Sequence, residues 1–188
     1  MEKAKESELM SRAQSGDAEA FGRIYDLYSP KLYRFIYFKV HHQETAQDLL
    51  SDTFMKSLKS LDRFDVERGT VSSWLYSIAR NTVIDHYRKT RPNSNLEDAW
   101  DLSSPASAES DAELRMKIET VKEHLVKLSV TEREIVTMRV WDEMTHREIA
   151  AALGKSEDAC KVAFSRAVKK LRAAMPLGTF LLLFANKL

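Results

Sequence analysis

Residues 92–113, PNSNLEDAWDLSSPASAESDAE, limit the possible folds more than any other stretch of this 188-residue chain. They hold two Pro, six acids and no Lys or Arg, with Ser recurring throughout. So polar a segment, charged with one sign, has too little apolar surface to join a core and reads as a flexible acidic linker. A single continuous core is therefore not expected. Two smaller units are, over residues 1–91 and 114–175, with an apolar tail at 176–188.

Both flanking blocks repeat their apolar residues every three to four positions, and neither shows a run of alternating β-branched residues. With only 5 Gly and 4 Pro in the whole chain, an all-α protein of two small helical domains is predicted. One Cys excludes a disulfide framework and a Cys-based zinc site. The start, MEKAKESELM, is too charged for a secretory signal, and FLLLFA at 180–185 is too short to span a bilayer. A cytoplasmic protein with no transmembrane segment is expected. Lys plus Arg number 29 against 28 acids, so a nucleic-acid partner requires charge segregated along the chain.

In the first block Phe21, Ile24, Tyr28, Leu32, Phe35 and Ile36 form a helical core stripe. In the next helix Leu50, Phe54, Leu58 and Leu61 make one apolar face, and Asp48, Asp52, Met55, Lys56 and Lys59 lie on another. Asp52 and Lys56 have the spacing of a helix-stabilising pair, and by spacing alone this charged row is a solvated face. The polar loop FDVERGTVSS leads to WLYSIARNTVIDHYRK. There Leu75, Ala79 and Val83 fall together toward a core, whereas Trp74, Ser77, Asn81, Asp85 and Arg88 share the other side with Arg80. Residues 71–91 hold four basic residues and one acid. Such a face suits phosphates, base edges and a stacked base, but it also suits an ordinary capped helix with surface charge, and both readings are open at this point.

In the second block Thr131 with Glu134, and Thr145 with Glu148, have capping-box spacing. THREIAAALGKSEDACKVAFSRAVKKL has the layout of a helix-turn-helix: a short helix stopped at Gly154, a second one N-capped by Ser156, and Ala159, Cys160, Ala163 and Ala167 for close packing. From residue 161 to 172 stand Lys161, Arg166, Lys169, Lys170 and Arg172 with no acid. Glu157 and Asp158 in the first turn suit the helix dipole, or one of them accepts from a cytosine amine. A trihelical domain without DNA-binding function can imitate this layout.

Three motifs in order, AQDLLSDTFMKSLKSLDRFD, WLYSIARNTVIDHYRK and THREIAAALGKSEDACKVAFSRAVKKL, resemble the bacterial sigma-70 superfamily, specifically its two-domain extracytoplasmic-function (ECF, group 4) sigma factors. The resemblance spans about residues 8–175. It implies a first domain, sigma region 2, that binds the clamp of the largest RNA polymerase subunit and melts the −10 promoter element. By matched position Ser77, Arg80 and Asn81 are its readers and Arg88 and Lys89 its phosphate contacts. Asp65, Glu67, Arg68, Gly69 and Thr70 belong to a loop that captures a flipped base, and Asp48, Asp52, Phe54 and Lys56 to the polymerase-docking surface. The second domain, sigma region 4, is implied to sit at the flap of the second-largest subunit and to read the −35 duplex through Glu157, Asp158, Lys161, Ser165 and Arg166. Ala163 and Val168 stand where many relatives have Arg, which bears on the −35 sequence more than on the function. The acidic linker suits the basic polymerase channels later used by RNA, and an anti-sigma factor is a further implied partner.

His41, His42 and Glu44 lack metal-ligand spacing and read as surface residues; Cys160 reads as a packing residue. No catalytic pattern, cofactor or small-molecule substrate is indicated. The tail PLGTFLLLFANKL is expected to fold as a short helix onto the protein's own surface, the alternative being an exposed handle masked by a partner or by the first domain until release. Two other functions compete: a stand-alone helix-turn-helix regulator, which leaves residues 46–91 without a purpose, and a sigma-like decoy titrating an anti-sigma factor, which has no need of Arg80, Arg88, Lys161 and Arg166.

Overall fold

The computed structural model describes residues 2–40, 42–90, 124–125, 127–175, 180 and 184. Regular structure among them is entirely helical: α1 (Glu2–Gln14), α2 (Ala18–Val40), α3 (Gln43–Lys59), a 3-10 turn (Leu61–Arg63), α4 (Val71–Thr90), α5 (Val130–Val140), α6 (His146–Leu153) and α7 (Glu157–Ala174). They divide into two compact units. The acidic segment 92–113 and most of the tail lie outside the described residues; Phe180 and Phe184 of the tail are buried and stack with ring centroids 4.7 Å apart.

The first unit packs α1 on α2, α2 on α3, and α3 and α2 on α4. Gly16, with φ of +92°, turns the chain after α1, and Asp17 then accepts from Ala20 N at 3.1 Å to start α2. Ile24, Tyr28, Leu32, Phe35 and Ile36 are buried as predicted, whereas Phe21 is half-buried. On α4 the predicted Leu75, Ala79 and Val83 are fully buried, joined by Tyr76 edge-on to Phe35 at 5.1 Å. Each such large apolar side chain contributes about 1.5–3 kcal/mol on leaving water, so α4 is anchored along one whole face.

The face of α3 differs from expectation. Its buried residues are Ala46, Leu49, Thr53, Phe54 and Ser57; Leu50 is half-buried and Leu58 exposed. The seam is rotated so that two hydroxyls face inward, which is possible because Thr53 Oγ1 donates to Leu49 O at 2.6 Å and Ser57 Oγ to Phe54 O at 2.8 Å. Satisfied on their own helix, the hydroxyls are buried without an unpaired donor. His42 caps α3, accepting from Thr45 N at 3.3 Å.

In the second unit α5 runs against α7. The capping box at the start of α5 is Ser129 with Glu132, not Thr131 with Glu134: the helix begins earlier, and Thr131 is already inside it. Glu143 takes a left-handed φ of +58° in the turn to α6, where the Thr145–Glu148 capping box forms as predicted, with Thr145 N donating to Glu148 Oε2 at 2.8 Å. Gly154, φ +64°, ends α6, and Lys155 N reaches back to Ala150 O at 3.0 Å, a Schellman closure that only a residue tolerant of the left-handed region permits cheaply. Ser156 then caps α7 by accepting from Ala159 N at 3.2 Å. Ile135, Met138, Ile149, Cys160, Ala167 and Leu171 are buried, while Ala159 is exposed and Ala163 half-buried, so only part of the predicted small-residue seam packs.

Candidate nucleic-acid interface

In the first unit the site begins at the 3-10 turn. Gln14 Nε2 donates to Leu61 O at 2.9 Å and Phe64 O at 2.8 Å, fastening the start of the loop to α1. Asp65 Oδ1 accepts from Glu67 N at 2.9 Å, and Asp65 pairs with Arg68 at 3.1 Å, so the predicted capture loop carries its own Asx turn. Thr70 and Ser73 bond reciprocally at the start of α4: Ser73 N donates to Thr70 Oγ1 at 3.2 Å and Thr70 N to Ser73 Oγ at 3.1 Å. A Cβ on Gly69 would stand 3.1 Å from Ser73 Oγ, so this crossing favours glycine.

Ser73, Trp74 and Ser77 at the start of α4 stand beside Phe64, Asp65, Arg68 and Gly69 of this loop. Trp74 is half-buried and tilts against Phe64 with centroids 5.2 Å apart. Ser77 Oγ donates to Trp74 O at 2.7 Å. Farther along α4 Asn81, Asp85, Arg88 and Lys89 are exposed, and Arg80 is half-buried. Lys56 of α3 crosses to this row, its Nζ 3.2 Å from Thr82 Oγ1 and 3.4 Å from Asp85 Oδ2. The predicted Asp52–Lys56 pair is therefore replaced by a bridge between helices, which partly offsets the single acid of the row.

Of the predicted docking residues, Asp48 and Asp52 are exposed on α3. Phe54 is not: it is 6% exposed, beneath Tyr25 at 4.6 Å and Phe21 at 6.4 Å. A side chain covered by two rings supports this surface from below and cannot itself meet a partner. The apolar groups that do reach solvent there are Tyr25, Met55 and Leu58. Spacing places Met55 on the solvated face, as found, but puts Leu58 with the apolar one, because it separates faces without saying which one the neighbouring helix covers.

In the second unit α7 presents the predicted helix. Lys161 Nζ lies 2.9 Å from Glu157 Oε1 and 3.7 Å from Asp158 Oδ1. The hydrogen bond with Lys161 holds the Glu157 carboxyl below its ordinary range, and the same bond raises the Lys161 ammonium. Lys161 is thus engaged within its own helix, and a phosphate has to compete with Glu157 for it. Lys170 faces α5, bonding both carboxylate oxygens of Glu132 at 2.9 and 2.8 Å, and leaves the one-sided basic array expected from sequence. Burial pushes the Glu132 carboxyl up, but hydrogen bonds from Lys170 and Ser129 outweigh it and leave the group below its ordinary value. Burial raises the Cys160 thiol, in keeping with a packing residue. Asp158, Val162, Ser165, Arg166 and Lys169 are exposed, and no acid occurs from residue 159 to 174.

Two sequence families cover these two regions: residues 24–92 match Sigma-70 region 2 and residues 118–171 match Sigma-70, region 4. Among full-length relatives, the ECF RNA polymerase sigma factor BldN of Streptomyces coelicolor is 34% identical over 176 residues, covering 92% of this chain and 67% of BldN. The ECF RNA polymerase sigma factor SigW of Bacillus subtilis is 27% identical over 174 residues, covering 87% of this chain and 92% of SigW. Among solved structures, CnrH in complex with the cytosolic domain of CnrY is similar with a TM-score of 0.69 at 27% identity, over 90% of this chain and 96% of that one.

The chain belongs to the ECF RNA polymerase sigma factors, with sigma-70 regions 2 and 4. It is a DNA-binding transcription factor that directs initiation with RNA polymerase, and it is not an enzyme. Among the described residues no helix is long and apolar enough to cross a membrane.

Proposed function

We propose that the two units divide promoter recognition between them, the first (residues 1–91) opening the −10 element and the second (residues 114–175) holding the −35 element as duplex. The observation that carries this reading is the contrast between an aromatic held beside a polar loop at the start of α4 and the exposed outer face of α7, which carries no acid after its first turn. A base taken from the stack needs a concave, partly apolar receptor to offset the few kcal/mol lost on unstacking. Asp65, Glu67, Arg68, Gly69 and Thr70 frame that receptor, with Trp74 and Ser77 on its wall. Arg80 and Asn81 extend it as readers, and Arg88 and Lys89 take the phosphates beyond.

On α7 Arg166 and Ser165 meet the −35 duplex, with Glu157, Asp158 and the tethered Lys161 at the groove end of the helix. Asp48 and Asp52, with Lys56 at the edge and Phe54 as support, form the face offered to the polymerase clamp; the second unit meets the flap of the second-largest subunit. Residues 92–113 act as the acidic linker through the polymerase channel. CnrH is seen in complex with the cytosolic domain of CnrY; by that likeness this chain acts in the cytoplasm and is held by a protein partner when idle, which the family resemblance makes an anti-sigma factor.

The test is transcription in vitro with bacterial core polymerase on fragmented genomic DNA, mapping RNA 5′ ends with and without the protein. Discrete starts sharing −10 and −35 elements, reduced by Asn81→Ala and, to a smaller degree, by Arg166→Ala, are expected. Starts unchanged by both substitutions would overturn the residue assignments. Core binding without any starts would instead support a decoy.

A further inference from the structure

One residue on the outer face of α7 is out of place chemically. Cys160, Ala167 and Leu171 are buried and define the inward side of the helix. At about 100° per residue, Val162 lies roughly 160° from the middle of that side, near the centre of the outward face. It is 50% exposed, with Asp158 one turn before it, Ser165 and Arg166 one turn after it, and Lys169 beyond. A β-branched apolar residue half-exposed on a helix gives up helix propensity for only part of the packing a core position supplies. The polar neighbours would orient on phosphates and base edges; Val162 has no hydrogen bond to offer. In the major groove the one apolar group among the base edges is the C5-methyl of thymine.

We infer that Val162 is a specificity-determining contact of the second unit, packing its two methyls on a thymine C5-methyl within the −35 element. The inference rests on the proposed placement of α7 in the −35 major groove and adds a base identity to it. Arg166 and Ser165 set the helix in register, and Val162 favours T·A over other pairs at one position through burial of a methyl-sized surface. Removing that methyl forfeits about a fourfold factor in affinity, the equivalent of one buried methylene.

The probe is uracil, which differs from thymine only in lacking this methyl. A promoter found by 5′-end mapping is prepared with each −35 thymine, on either strand, replaced singly by uracil. Binding of the full-length protein with core polymerase is then measured for the wild type and for Val162→Ala. The exposed position leaves the core untouched. The expected result is one uracil position that weakens wild-type binding about fourfold and leaves Val162→Ala binding unchanged. If no uracil weakens the wild type, or the variant loses as much at every position, Val162 does not read thymine and the inference fails, while promoter-specific starts keep the −35 reading intact. Absence of any −35 dependence in the wild type would overturn the placement of α7 and this inference together.

Discussion

Helices α4 and α7 are both long, amphipathic and basic toward their C-termini, yet they handle their polar faces in opposite ways. On α4 the first half of the outward row, and Asp85 beyond it, are tied into the fold. Trp74 leans on Phe64, Ser77 bonds the Trp74 carbonyl, and Asp85 is reached by Lys56 from α3. On α7 the outward row Asp158, Val162, Ser165, Arg166 and Lys169 is exposed, and among the described residues the ion pair that α7 makes to another helix, Lys170–Glu132, lies on the flank toward α5. On the proposed division of roles, the difference fits how each would meet DNA. A surface that receives an unstacked base must hold a fixed shape against the strand it distorts, so its side chains are buttressed. A helix that lies in a duplex groove needs only correct orientation, and its contacts can stay solvated until binding.

This contrast can be broken at several points. Trp74→Ala should be the largest loss: it removes half-buried aromatic surface packed on Phe64 beside the loop, costing about 2–3 kcal/mol of first-unit stability. Permanganate reactivity at the −10 element should fall at least tenfold, with −35 protection in footprinting nearly retained. Next, Glu132→Ala should lower second-unit stability by about 2 kcal/mol, since it opens the Ser129 capping box and strips Lys170 of its partner. The Glu132 carboxyl is held below its ordinary value in the folded state, so its contribution is present above the unfolded pKa and is lost as pH falls through the folded one. Thermal melts of the wild type should therefore lose stability on acidification below the ordinary carboxylate range, and Glu132→Gln should flatten that slope.

Asn81→Ala, at an exposed position with no packing role, should cost about 1–2 kcal/mol in promoter opening with polymerase affinity unchanged. Equal losses in opening and in polymerase binding would place Asn81 on the docking surface instead. The smallest effect is expected of Arg166→Ala: a few-fold weaker promoter binding, with the slope of log affinity against log salt reduced by about 1. An unchanged slope would mean that Arg166 meets no phosphate.

Much of this architecture was legible in the sequence because it is local. Gly154 followed by Ser156 marks the turn before α7, and the 3.6-residue spacing of Leu75, Ala79 and Val83 finds the buried side of α4. The missed features depend on partners distant in sequence. Lys56 turns to Asp85 and Lys170 to Glu132, 29 and 38 residues away, and no local pattern encodes either pairing. Phe54 and Leu58 illustrate the same limit on one helix: both belong to an apolar row by spacing, but Tyr25 covers one and leaves the other in solvent. At the start of α5 two overlapping capping-box patterns compete, and only the one at Ser129 coincides with the helix start.

The division of labour is tested most directly by transcription from one promoter supplied in two forms, fully paired and with the −10 element pre-opened by mismatch, using Asn81→Ala and Arg166→Ala beside the wild type. Pre-opening removes the unstacking cost that the first unit is proposed to offset. The account predicts that Asn81→Ala regains most of its initiation on the pre-opened template while Arg166→Ala keeps its deficit. Equal rescue of both variants, or of neither, would contradict it.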